Sequence, residues 1–152
     1  MAEPISFTSE TPRWSLPLLF AGQAQKEFFV NEAQTLVDAL LHLSIADIAA
    51  TPPSDPAPGQ CWIVDDDPQG EWAGRTNQIA VWASGNWKFV TPQTGMSAFH
   101  ETLGKSLHFD NSWQSTQVPA SPQGGATIDA EARAAIDSLV ETLRNLGIFE
   151  RI

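Results

Sequence analysis

Phe29, Ala33, Leu36, Leu40 and Leu43 recur at steps of four, three, four and three residues, and neither Pro nor Gly interrupts Gln23 to Leu43. That spacing predicts an amphipathic helix opening after Gly22, with Phe28 and Val37 widening its apolar stripe. We assign residues 23–50 to this helical segment. Residues 1–22 before it are an extended arm, because Pro17 breaks the apolar run from Trp14 to Phe20. The arm is expected to lie on a partner surface. Residues 51–59 hold four Pro and one Gly in nine positions, which no helix or central strand tolerates.

Beyond that linker the period changes. From 60 to 113, apolar stretches of about four residues alternate with Gly, Asn, Asp and Pro. They are Cys61–Val64, Ile79–Trp82, Trp87–Val90, Met96–His100 and Ser106–Phe109. These are strand signals, and they predict about five short antiparallel strands in one small meander, with a hairpin turning at Ser84, Gly85 and Asn86. Residues 114–126 read as a second linker. The last segment, 127–152, carries Ala132, Ile136, Leu139, Leu143 and Leu146 at steps of four, three, four and three. It predicts a helix capped by Thr127 or Asp129 and stopped by Gly147. The fold class is α+β: an N-terminal helix, a Trp-rich antiparallel sheet and a C-terminal amphipathic helix.

Both helical stripes have heptad spacing, so each can face a core or another chain. The C-terminal helix, reached through a linker, needs somewhere to place its stripe. The expected oligomer interface is therefore Ala132, Ile136, Leu139, Leu143 and Leu146, joined by Phe29, Leu36 and Leu40. A homotrimer is the expected state.

Composition narrows the function classes. Eight Lys and Arg stand against 18 Asp and Glu, a formal net charge of −10. Nucleic acid is disfavoured, because phosphate binding needs clustered cations, and an anionic membrane surface is disfavoured for the same reason. Cys61 is the single cysteine, so an internal disulfide framework is excluded. No apolar stretch approaches bilayer-spanning length, and the N-terminus lacks the pattern of a secretory signal.

The sequence carries no nucleotide-binding or catalytic motif of the common kinds. His100 and His108 could face each other across a hairpin and share a metal, but no ligand stands at metal spacing beside them, and ordinary strand histidines are the simpler reading. Asp65, Asp66 and Asp67 read as a solvated turn more readily than as a calcium loop. Glu71, Glu101 and Asp110 lie near tryptophans, yet so small a sheet offers little room for a hydrolytic cleft. The expectation is no enzyme, cofactor or metal.

The six Trp, with no Tyr, are the compositional anomaly. Trp62, Trp82 and Trp87 read as core. Trp72 and Trp113, flanked by Gly and by Asn or Ser, are candidate stacking platforms for sugar rings, with Asn77 and Asn111 as polar neighbours.

One resemblance spans nearly the whole chain. Thr11-Pro-Arg13, Leu16-Pro17, Ala21-Gly-Gln-Ala-Gln-Lys26 and Asn31-Glu-Ala33 resemble an uncharacterised domain family of alphaproteobacterial prophages and gene transfer agents. The similarity continues through Pro58–Val64, Gly70–Gly74, Ile79–Trp82, Gly85–Trp87, Pro92 and Gly95-Met96. The ending around Ile136 resembles a tail helix of phage fibre-like proteins. The resemblance implies a virion-associated fibre, spike or baseplate-peripheral protein, made in the bacterial cytoplasm. Its implied partners are itself, other virion proteins and host surface polysaccharide. A carbohydrate-binding module recognising host surface polysaccharide and an assembly adaptor touching only other virion proteins are the alternatives. Longer members carry additional sequence after the Trp-rich domain, whereas here the expected tail helix follows directly after the linker 114–126, and the resemblance assigns no catalytic residue.

Overall fold

A computed structural model describes residues 9–22, 26–125 and 129–150. The elements are α1 (Lys26–Leu40), β1 (Ser44–Ile45), β2 (Asp47–Ala49), β3 (Cys61–Val64), a 3-10 turn at Gly70–Trp72, β4 (Ile79–Ala83), β5 (Asn86–Val90), β6 (Ser97–His100), β7 (Lys105–Asp110), β8 (Ser112–Ser115) and α2 (Ala130–Asn145). Two helices and eight strands in two sheets make the fold α+β. Two compact units meet in sequence between Thr91 and Pro92, inside the stretch 60–113 read as one module.

The first unit is built on the sheet β2-β3-β4-β5. Pairing of β3 with β4, and of β4 with β5, is antiparallel, and Ser84 and Gly85 turn the hairpin with φ of 52° and 74°. Positive φ at both central residues marks the primed turn that matches strand twist. Strand β2, which lies in the segment read as helical and outside the stretch 60–113, pairs with β3 in parallel, Asp47 to Ala49 against Trp62 to Val64. Every residue of β3 is buried, as are Ile79, Ala80, Val81 and Ala83 of β4. Apolar runs buried on both faces, rather than alternating, are the mark of a covered sheet.

The helical segment 23–50 is corrected. Among the described residues the helix starts at Lys26 and ends at Leu40, and Ser44–Ile45 and Asp47–Ala49 form strands. Arg13 accounts for the stop. Its guanidinium donates to the carbonyls of Ala39 (2.5 Å) and His42 (3.2 Å) and to Ser44 Oγ (2.9 Å). A cation on the last carbonyls satisfies groups that a helix end leaves open and suits its dipole. His42, at φ 53°, turns the chain out of the helix.

In the second unit, β6, β7 and β8 form an antiparallel meander. Strand β8 continues into the stretch 114–126 expected to be linker. Helix α2 follows its expectation closely. Asp129 accepts from the Ala132 amide at 2.9 Å, while Thr127 lies outside the described residues. At the other end Gly147, φ 71°, donates to the Arg144 carbonyl, and Ile148 donates to Leu143. Those two bonds make a Schellman stop.

Candidate functional site

Two surfaces gather the side chains that sequence singled out, one in each unit. In the first unit, the arm and α1 define the arrangement through polar groups. Asp38, buried in the inner face of α1, accepts from Thr11 Oγ1 at 2.6 Å, from the Trp14 amide at 2.7 Å and from the Arg13 amide at 3.0 Å. Asn31 accepts from the Leu19 amide and donates to its carbonyl, at 2.8 and 3.1 Å. Glu27 accepts from the Gly22 amide at 3.0 Å. Positions 27, 31 and 38 are spaced by four and seven, so they share one helical face. Residues 11–22 of the arm are therefore tied to the chain's own helix.

These residues were missed in the sequence because the apolar stripe drew the reading. A polar stripe of equal periodicity ran behind it, with Thr11 and Arg13 upstream to serve as its partners. Turning that stripe inward leaves the apolar one outside. Phe29 is 79% exposed, Ala33 is exposed, and Leu36 and Leu40 are half-covered. The face predicted from Phe29, Leu36 and Leu40 is real, and among the described residues its outermost members meet no core.

Between arm, α1 and hairpin lies a cleft of about 440 Å³, walled by Leu18, Leu19 and Phe28 on one side and by Ala83, Ser84 and Asn86 on the other. Lys88 and Glu32 form an ion pair at 2.8 Å on its wall. Both groups are well exposed, so the pair contributes at most about 1 kcal/mol.

The tryptophan expectations divide. Trp72 is a correction: it is 0% exposed and cannot offer a face to a sugar. Its ring lies 5.1 Å from Trp87 and 6.5 Å from Trp62, and Trp82 lies 4.9 Å from Trp87. Four indoles thus fill one face of the sheet over Val64 and Ala80. Short strands of small residues leave that volume, and indole fills it. The flanking glycine that suggested exposure instead permits the 3-10 turn, with Gly70 at φ 60°. Asn77 is a turn residue, φ 64°, whose amide donates to the Val64 carbonyl at 2.8 Å.

In the second unit Trp113 is half-buried, opposite Phe109 on β7, with ring centroids 5.2 Å apart. Asn111, exposed and at φ 61°, makes the tight turn beside it. Trp113 and Asn111 therefore sit together, while Trp72 and Asn77 belong to the first unit.

Helix α2 presents the other surface. None of its residues is buried, and Ile136, Leu139 and Leu146 are 41%, 59% and 67% exposed; Leu143 is half-covered and Ala132 exposed. What docks is the segment after it. The Gly147 carbonyl accepts from the Ser106 amide at 2.6 Å, Ile148 accepts from Thr116 Oγ1, Lys105 pairs with Glu150 at 3.1 Å, and Phe149 is buried.

His100 and His108 do not face each other: His100 registers with Lys105 and His108 with Ser97. Asp65, Asp66 and Asp67 are exposed, and Asp65 accepts from the next amide. Among the described residues no group of three or more His, Cys, Asp and Glu is placed to hold a metal ion. No described helix is long and apolar enough to cross a membrane.

No curated protein matches the chain. A family model described as a protein of unknown function, DUF2793, matches residues 30–115, from α1 through β8 and more than half of the chain, and the protein belongs to that family.

Proposed function

We propose that this protein is a structural, self-assembling component of a phage or gene-transfer-agent particle, placed at a tail fibre, spike or baseplate periphery. In this reading α2 holds the copies as a homotrimer, other virion proteins are its neighbours, and the assembly contributes to attachment at the host surface. The particle assignment draws on the sequence resemblance around Thr11–Arg13, Ala21–Lys26 and Asn31–Ala33.

The observation that carries self-assembly is α2: sixteen residues, none buried, with a leucine stripe facing solvent. An isolated helix of this length is marginal in water, and most helical stability comes from packing an apolar face. Covering Ile136, Leu139 and Leu146 gives about 4 kcal/mol per chain at half-buried values. Association itself costs at least about that much, so contacts beyond α2 must share the load. The polar residues of the arm and α1 motif are also better explained as structure than as chemistry. Thr11, Arg13, Asn31 and Asp38 hold one another.

The test is mass in solution. The full chain is expected at a multiple of 16.5 kDa by light scattering, and Leu139→Asp with Leu143→Asp is expected to lower it. A monomeric wild type, or a double variant of unchanged mass, overturns the reading.

A second reading draws on Trp113. Its half-exposed ring beside Phe109 and Asn111 has the aromatic and polar parts a surface polysaccharide would use. Several weak sites on one assembly gain avidity without any new contact.

A further inference from the structure

We propose that the outer face of α1 is a homotypic contact, in which α1 of a second copy packs antiparallel across a two-fold axis at Ala33. This deepens the self-assembly reading by giving the chain an interface separate from α2.

The face is built for a copy of itself. Phe29 and Val37 stand four residues to either side of Ala33, so an antiparallel pair centred there sets each Phe29 against the partner copy's Val37. Large meets small, and the small central residue lets the helix axes approach. Lys26 lies seven residues before Ala33 and therefore meets Leu40 of the facing helix instead of the partner copy's Lys26. A parallel pair would instead bring Phe29 onto Phe29 and Lys26 onto Lys26. The face otherwise carries no charge, which matters for copies that each bear −10.

The area also fits. Phe29, 79% exposed, offers about 160 Å². Val30, Val37 and Leu41, at 40%, 51% and 46%, add about 150 Å² together. Trp14, 47% exposed with its indole N–H on the Leu41 carbonyl, extends the patch by about 120 Å². Some 430 Å² of apolar surface, at the two-thirds apolar share of homodimer contacts, implies about 1,300 Å² over both partners. That lies just inside the range of specific interfaces.

Cross-linking of the full chain reads the geometry. Ala33→Cys is expected to give a disulfide-linked dimer on oxidation. Phe29→Cys alone gives none, and Phe29→Cys with Val37→Cys gives a dimer again. Cys61 is buried and serves as the unlinked control. In the Leu139→Asp, Leu143→Asp background the chain is expected to remain dimeric, and adding Phe29→Asp with Val37→Asp, both exposed, is expected to halve its mass. Self-linking of Phe29→Cys overturns the antiparallel arrangement. Absence of an Ala33→Cys dimer, or linkage of Ala33→Cys to Leu139→Cys, overturns the homotypic contact. The two readings fail separately. An oligomer that the α2 variant reduces straight to monomer removes the α1 contact alone. A mass unchanged by the α2 variant, with the Ala33→Cys link still forming, removes the α2 contact alone.

Discussion

Replacing Asp38 tests the arrangement on which the exposed face of α1 depends. The carboxylate is 1% exposed and accepts three hydrogen bonds, from Thr11 Oγ1 and the Trp14 amide on Oδ1 and from the Arg13 amide on Oδ2. Hydrogen bonds to a charged group contribute about 1.5–3 kcal/mol each, so the three together set an upper bound of about 5–9 kcal/mol. The expected loss is smaller, because residues 11–14 can lift from the helix and hydrate. We expect about 3 kcal/mol for Asp38→Ala, which lowers the melting temperature by about 6–12 °C for a chain of this size. Amide exchange resolves the cause. Protection of the Arg13 and Trp14 amides is expected to fall about 100-fold in Asp38→Ala. In Asp38→Asn an oxygen at the Oδ1 position keeps Thr11 and Trp14, while the amide group meets the Arg13 N–H as donor against donor. Only Arg13 should then lose protection. Wild-type exchange at Arg13 and Trp14 in Asp38→Ala would refute the reasoning, whatever the melting temperature does.

Trp72→Ala is expected to cost about 3–5 kcal/mol by denaturant unfolding, as a large buried side chain should. Trp72→Phe is expected to cost under about 2 kcal/mol, because the buried indole N–H of Trp72 makes no hydrogen bond among the described residues and its loss strands no partner. Trp113→Ala is expected to abolish any glycan-array binding while circular dichroism stays unchanged; binding retained without the indole would remove the polysaccharide reading.

The local features were readable because their signals are local. Ser84-Gly85 announced a hairpin, and Asp129 and Gly147 announced the ends of a helix; each sits where its backbone chemistry demands. The misread parts depend on distant partners. Ser44 to Ala49 looks like a continuing helix until β3 is present to pair with it, Asp47 against Trp62. Tryptophan flanked by glycine reads as exposed, yet Trp72 fills the space over Trp62 and Trp87. Periodicity located the apolar face of α1, but it could not tell inside from outside. That choice was made by Asp38, Asn31 and Glu27, whose partners stand five to 27 residues away.

The same balance explains why α1 keeps its apolar face outward. Rolling the helix to bury Phe29, Val30, Val37 and Leu41 would remove about 310 Å² from water, a gain of about 8 kcal/mol. It would also carry Asp38 to the surface, at the cost of about 3 kcal/mol expected for Asp38→Ala. Loss of the three Arg13 guanidinium bonds and the two Asn31 bonds, at about 1 kcal/mol each, adds about 5 kcal/mol. The intramolecular route therefore gains nothing. A second copy would cover the same apolar surface with every one of those bonds intact, so the proposed association would gain the free energy that the intramolecular route does not.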